Sequence, residues 1–142
     1  MGDRCYLSMW WKKSDTEKLL AASRGVFGAC SKPEDIFSDV EEDGEEIHGS
    51  RDEANYGWFE QLTAMAKAGL VFHGWHGPGG EYGEKVFLGF NGEYIEVDSV
   101  RQEPVVPVDD DGNPEVNPLA QVRHYVETMK KVRAYMQEEV HG

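Results

Sequence analysis

The sequence predicts a single α+β domain over residues 1–142. We expect a mostly antiparallel sheet of about four to six strands, with two or three helices packed on one side. Three observations predict this fold. Several short β-rich runs follow one another, and two of them flank Asn91-Gly92, a dipeptide that favours tight hairpins. Apolar residues recur at helical spacing near both 58–67 and 118–138. A chain of 142 residues with 39% hydrophobic content suffices for one core and is small for two.

The first part of the chain predicts a strand, a helix and an acidic connection. Residues 3–11 are rich in aromatic and apolar side chains, as in a strand. Ser14 lies three residues before Glu17, a capping-box spacing that predicts a short helix ended by two glycines. The acidic stretch 39–46 is expected to form an exposed loop or hairpin tip, and a strand is indicated over 45–53.

The middle of the chain predicts a helix, a short buried strand and a glycine-rich loop. The helix covers 58–67, where apolar residues recur at helical spacing, and a following glycine is expected to end it. Residues 70–72 are apolar and predict a strand that leads into the loop 73–83.

The last part predicts a hairpin, a further strand and a long helix. The hairpin strands cover 85–90 and 93–97, and another strand is expected over 104–108. Asn117-Pro118 is a favourable helix start, because a capping side chain precedes a proline in the first turn. The apolar stripe that follows also permits a homodimer through the 118–138 helix.

The net charge of −13 is concentrated in two segments. Residues 34–60 carry eleven acids against one base, and residues 81–115 carry ten acids against two bases. Such a chain repels phosphates, so direct binding to nucleic acid is disfavoured and a partner protein with a basic surface is the natural complement.

Several function classes lack their usual sequence signals. The chain has no run of 18 apolar residues, so no membrane span is predicted, and its two cysteines form neither a disulfide framework nor a zinc motif. A cytoplasmic location is therefore expected. No nucleophile elbow occurs, and the sequence predicts no catalytic residue, metal or cofactor.

The segment 73–83 is an alternative ligand site. It holds five glycines together with His73, His76, Glu81 and Tyr82, which could bind a small molecule or a metal or serve a small enzyme. A phosphate loop is disfavoured because a β-rich run follows the glycines in place of a helix. A structured connection between strands explains the same residues without a ligand.

The acidic segments are the predicted partner-binding surface. The residues concerned are Asp39, Glu41, Glu42, Asp43, Glu45, Glu46, Asp109, Asp110 and Asp111. Carboxylates spaced along a surface can imitate the phosphates of DNA. A solvated acidic face is the simpler interpretation. The run 109–113 does not fit a calcium loop, because its glycine and its twelfth residue are wrong for an EF-hand.

Three segments, 53–57, 72–83 and 106–112, resemble parts of small acidic proteins encoded by phages. That group includes inhibitors of host defence, among them anti-CRISPR proteins that mimic DNA. The resemblance implies an inhibitor acting in the host cytoplasm, and it carries no catalytic motif to this chain. The sequence therefore predicts a non-enzymatic acidic protein that occupies a basic nucleic-acid-binding surface of a partner, with the ligand site at 73–83 as the alternative.

Overall fold

The computed structural model describes residues 4–80 and 82–138. Within these ranges the strands are β1 (Arg4–Lys12), β2 (Asp39–Asp43), β3 (Glu46–Asn55), β4 (Phe72–His76), β5 (Lys85–Phe90), β6 (Glu93–Val100) and β7 (Glu103–Pro104). The helices are α1 (Thr16–Phe27), α2 (Phe59–Lys67) and α3 (Val116–Gln137). None of the helices in the described part of the chain has the length and hydropathy of a transmembrane segment.

The strands form one antiparallel sheet in the order β2-β3-β1-β4-β5-β6-β7. The predicted α+β class and antiparallel pairing are confirmed, and the sheet has seven strands where four to six were expected. β1 is an interior strand, paired with β3 on one side and β4 on the other. Side chains alternate between the two faces of a strand, so Leu7, Met9 and Trp11 are fully buried on one face while Ser8 and Trp10 point to the other.

The helices cover the two faces of the sheet unequally. α1 and α2 pack on the face that carries Leu7, Met9 and Trp11, and contribute residues such as Leu19 and Leu62 to that core. Two helices on one side agree with the prediction, but α3 lies on the opposite face. β5 and β6 explain this difference, because they carry apolar side chains on both faces and each face must be covered.

α3 uses its apolar stripe within the molecule. Met129, Val132 and Met136 are buried against the aliphatic side chains of β5 and β6. The predicted long helix is confirmed. A homodimer through residues 118–138 stays a prediction.

The acidic stretch that was expected to be a loop or hairpin tip contains strand β2. Asp43 pairs with Glu46 across a two-residue turn, where Gly44 has φ of +63°. β2 pairs with β3 on one side and lies at the edge of the sheet. Charged side chains suit an edge strand because they discourage pairing with another chain.

The glycine-rich loop begins later than predicted, since β4 extends to His76. Gly74 lies within this strand, and a Cβ atom there would collide with the carbonyl oxygen of Ser8 and the ring of Phe87. This glycine therefore permits close packing between strands, and it is not needed for a loop conformation.

The predicted Asn91-Gly92 hairpin is confirmed, with φ of +51° and +83° at its two turn residues. The next hairpin turn, between β6 and β7, has Arg101 and Gln102 at φ of +53° and +68°. The strand expected over 104–108 is reduced to β7 and one bridge between Val108 and Pro114. Pro104 and Pro107 lack the N–H groups that a longer ladder would need.

Candidate functional site

One part of the sheet is left open on the face that α3 occupies. α3 packs on β4, β5 and β6, whereas on the same face of β1, β2 and β3 the described helices contribute only the C-terminal part of α3, where the ammonium group of Lys12 lies 4.9 Å from the ring centre of Tyr135. We call this region the open face. Its side chains are Tyr6, Ser8, Trp10, Asp39, Glu41, Asp43, Glu46, His48, Ser50, His73 and Trp75. They are aromatic, acidic or hydroxylated, and the basic side chain of Lys12, in register with Glu46, lies at the end of the same face under Tyr135 of α3.

A row of stacked rings crosses the open face. Trp10 pairs in register with His48 on β3 and with His73 on β4. Its ring lies 4.3 Å from the imidazole of His48 and 5.4 Å from that of His73, with interplanar angles of 23° and 6°. Glu41 on β2 pairs with His48 and extends the row to the edge of the sheet. The sheet register thus places an acid, two imidazoles and an indole in one line.

A second row contains hydroxyl groups and aromatic rings. The hydroxyl of Ser8 donates a hydrogen bond to the hydroxyl oxygen of Tyr6 at 3.3 Å, and Nε2 of His48 lies 3.0 Å from Oγ of Ser8. Tyr6 packs against Trp75 at 5.6 Å and is 39% exposed. The open face therefore offers apolar ring surface beside fixed polar groups.

A groove separates the open face from α3. It consists of two adjoining cavities of about 260 and 210 Å³, and both are lined by Trp10, His73 and Arg133. Asp43 and Glu46 line the first cavity, which lies on the acidic side.

His73 lies at the floor of this groove, where its surroundings shift its pKa in opposite directions. Nε2 of His73 lies 3.4 Å from a carboxylate oxygen of Glu46. Burial lowers the pKa of His73 below its ordinary value, and Arg133 acts in the same direction, while Glu46 opposes them. The neutral imidazole is therefore favoured at this position.

The predicted acidic residues 39–46 lie together, and we call them the acidic edge. Asp39, Glu41 and Asp43 alternate along β2 and point to the open face. Glu42 points to the other face and pairs with Lys13 at 3.1 Å. Among the described residues, Asp39, Glu41, Asp43 and Glu45 have no ion-pair partner.

The second predicted acidic group does not join this surface. Residues 109–111 follow β7, at the opposite end of the sheet from β2, and five strands lie between these two edge strands. Oδ1 of Asp109 accepts hydrogen bonds from the backbone N–H groups of Asp111 and Asn113 at 3.0 and 2.9 Å. Asp109 therefore shapes a turn, and Asp110 and Asp111 are exposed on it.

The alternative ligand site is also divided by the sheet. His73 points to the open face, but His76 points to the core and is 2% exposed. Nδ1 of His76 lies 2.8 Å from the carbonyl oxygen of Gly77, and its ring packs edge-on against Tyr82. Glu81 lies outside the described residues. Within residues 4–80 and 82–138, no three His, Cys, Asp or Glu side chains are grouped so that they could hold a metal ion.

Sequence reasoning missed Trp10 and His48 as members of the surface. The signal was the alternation in β1, where fully apolar residues alternate with Tyr6, Ser8 and Trp10. No protein family, curated protein or solved structure matches this chain.

Proposed function

We propose that this protein is a non-enzymatic interaction protein that binds a basic, nucleic-acid-binding surface of a partner protein. The acidic edge and the open face form the binding surface. The observation that carries this proposal is the row of Asp39, Glu41 and Asp43 on an edge strand, pointing to one face and without ion-pair partners among the described residues. Binding would exclude nucleic acid from the partner by occupying the same surface.

The geometry of the strand supports recognition of a basic groove. Residues two apart in a β-strand are separated by about 6.8 Å, so the three carboxylates form a line. A groove that holds a nucleic acid backbone presents lysine and arginine side chains to a line of negative charges. The net charge of −13 would also speed the encounter with such a groove.

The aromatic side chains of the open face support binding to a protein. Tyr6, Trp10 and Trp75 lie on the same face as the acidic row. Tryptophan and tyrosine are enriched at the energetic centres of protein interfaces, whereas charged residues at the rim act mainly on specificity and association rate. The open face would supply the contact area, and the acidic edge would orient the partner.

The resemblance to small phage proteins favours one class of partner. It implies a nucleic-acid-binding protein of a host defence system, and the mechanism would be inhibition in the host cytoplasm. A DNA-mimic-like inhibitor needs no catalytic group.

The experiment compares two charge-reversed proteins. One carries Asp39→Lys, Glu41→Lys and Asp43→Lys, and its matched control carries Glu103→Lys, Asp110→Lys and Asp111→Lys at the opposite end of the sheet. Each is used with the unaltered protein to capture partners from a nuclease-treated host lysate, with and without added duplex DNA. We expect a nucleic-acid-binding protein that DNA and high salt both release, and that only the first variant fails to capture.

Two results would contradict the proposal. One is equal capture by the two variants, since the acidic edge would then make no specific contribution. The other is a partner that duplex DNA does not displace, because the shared surface would then be absent. Circular dichroism of both variants provides the check on folding.

A further inference from the structure

We infer that the exposed edge of β6 binds an extended basic peptide as an added strand. β7 pairs only with Ser99 and Val100 of β6. In the described part of the chain, no strand pairs with residues 93–96 on that side. This edge lies at the opposite end of the sheet from the acidic edge, so the inference is independent of the proposed function.

The hairpin register determines which backbone groups are open. Phe90 and Glu93 flank a two-residue turn and therefore form a hydrogen-bonded pair. Hydrogen-bonded and non-hydrogen-bonded pairs alternate along an antiparallel ladder. The N–H and C=O groups of Tyr94 and Glu96 consequently point away from β5, toward the open edge. Such groups are the usual template for an additional strand.

The edge lies at the bottom of a groove between two helices. The cavity has a volume of about 510 Å³. α2 contributes Phe59, Thr63 and Lys67 to one wall, and α3 contributes Gln121 and His124 to the other. Phe59 is 49% exposed and packs edge-on against Tyr94 at 5.8 Å. The groove thus offers an apolar contact on the α2 side and polar contacts on the α3 side.

The two acids at this edge each have one side-chain hydrogen-bond partner and keep their negative charge. Nε2 of His124 lies 2.9 Å from a carboxylate oxygen of Glu93, and the hydroxyl of Tyr94 donates to Glu96 at 2.9 Å. On β2, Asp39, Glu41 and Asp43 have no ion-pair partner among the described residues. Charged side chains discourage strand addition, and β2 carries four acids in five residues whereas residues 93–96 carry two in four, so β2 is the more protected of the two edges.

The spacing of the open backbone groups and the charge of the protein together indicate an extended basic peptide as the ligand of this groove. Only an extended chain presents donors and acceptors at the two-residue spacing of Tyr94 and Glu96. Alternate side chains of such a chain would contact Phe59 on one wall and Gln121 on the other. The net charge of −13 favours lysine or arginine in the peptide and disfavours a second copy of this chain.

The probe is an octapeptide of alternating valine and lysine, and its control is the same peptide with every backbone nitrogen methylated. Both have the same charge, but only the first can form a β-ladder. Binding is followed by amide NMR of the complete protein. We expect the amide signals of Tyr94 and Glu96 to shift and their hydrogen exchange to slow with the first peptide. The methylated peptide should bind at least about tenfold more weakly, since each hydrogen bond contributes up to about a factor of ten.

Two proline variants locate the binding edge. Glu96→Pro removes an N–H that points outward from β6, and Glu42→Pro removes the corresponding N–H from β2, where Asp43 and Glu46 flank the turn. We expect about tenfold weaker binding for the first and unchanged binding for the second. If Glu96→Pro does not fold, the two peptides on the unaltered protein still decide the matter.

Three results would overturn the inference. They are equal affinity for the two peptides, amide shifts confined to β2 and β3, and self-association of the protein in place of peptide binding. The first two would indicate unspecific attraction to the acidic edge, and the third would indicate a second copy as the occupant. None of these three results would affect the proposed function of the acidic edge, which is tested separately by capture of partners and their displacement by duplex DNA.

Discussion

His73 and His76 lie three residues apart on one strand and on opposite faces of the sheet. His73 stacks on Trp10 at the open face, whereas His76 packs among Phe87, Tyr82 and the backbone of Gly57 in the core. The two imidazoles therefore have separate structural roles.

Replacing each histidine with alanine should separate these roles. His76→Ala leaves a cavity in the core, and we expect it to lower the free energy of unfolding by about 3 kcal/mol. His73→Ala removes a partly exposed ring, and the loss should be about 1 kcal/mol or less. Urea denaturation at pH 7 measures both. Equal losses of stability in the two variants would contradict the assignment of His76 to the core and His73 to the surface.

The free energy of unfolding should decrease as the pH is lowered, and His73 should account for part of this decrease. Burial lowers the pKa of His73 in the folded protein, so the unfolded chain takes up the proton first, beginning near an ordinary value of 6.5. The folded state therefore loses stability as the pH falls below about 6.5, until it passes the lower pKa of the folded state. Glutamine does not titrate, so His73→Gln should gain stability relative to the unaltered protein between pH 7 and pH 5.

Urea denaturation of both proteins at pH 7, 6 and 5 measures this difference. Other groups that titrate in the range are common to the two proteins and cancel. A difference that stays constant with pH would show that His73 takes up its proton equally well in the folded and unfolded states.

Gly74 should be far less tolerant of alanine than Gly83. A Cβ atom at Gly74 would collide with the backbone of β1 and with Phe87, while no atom lies within 4 Å of a Cβ at Gly83. We expect Gly74→Ala to lower the free energy of unfolding by about 3 kcal/mol, and Gly83→Ala to change it by about 0.5 kcal/mol or less. Thermal or urea denaturation of the pair provides the measurement. Equal tolerance would place both glycines in a loop.

The turn between β6 and β7 should be open to stabilisation. Arg101 and Gln102 both have positive φ, although such turns favour asparagine and glycine. The carboxylate of Glu84 accepts hydrogen bonds from the N–H of Gln102 and from the hydroxyl of Ser99, both at 2.6 Å, which helps to hold this turn.

Arg101→Asn with Gln102→Gly should therefore raise the free energy of unfolding by about 1 kcal/mol. The reciprocal control places arginine and glutamine at positions 91 and 92, and we expect a loss of similar size there. Denaturation curves of both variants test the pair. A loss of stability at 101 and 102 would show that the native side chains are needed in this turn.

The acidic edge should oppose folding at low salt. Asp39, Glu41 and Asp43 repel one another without compensation by an ion pair within the described residues. The amide variant Asp39→Asn, Glu41→Gln, Asp43→Asn should thus melt at a higher temperature than the unaltered protein in 20 mM salt. The difference should shrink in 500 mM salt because the charges are screened. A salt-independent difference would indicate a cause other than charge.

Local signals in the sequence predicted the elements that depend on neighbouring residues. The hairpin at Asn91-Gly92 follows from the backbone preferences of those two residues. α3 follows from its apolar periodicity, but it begins at Val116, before the predicted start at Asn117-Pro118, and no side chain among the described residues caps it. β2 was not predicted as a strand, because four of its five residues are acidic and have low β propensity. Its conformation depends on pairing with β3 and on its position at an edge.

The open face could not be assembled from local signals. Trp10, His48 and His73 are distant in sequence and meet only through the register of three strands. The acidic edge was found because its residues are consecutive. The separation of His73 from His76 follows from the two-residue period of a strand, although the strand was expected to end at residue 72.

The position of β1 in the sheet determines the order in which the strands can pair during synthesis. Among the strands of residues 4–80 and 82–138, β2 and β3 form one group of neighbours, β4 to β7 form another, and β1 pairs with both groups. β1 precedes both groups in the chain, so a ribosome completes it before any of its partners exists. The pairing of β1 with β4 starts at Phe72 and is complete only when the chain has been made through His76. A substitution that disrupts β1 would therefore remove the pairing between the two groups of strands. Because both groups depend on β1, we expect the whole sheet to unfold cooperatively.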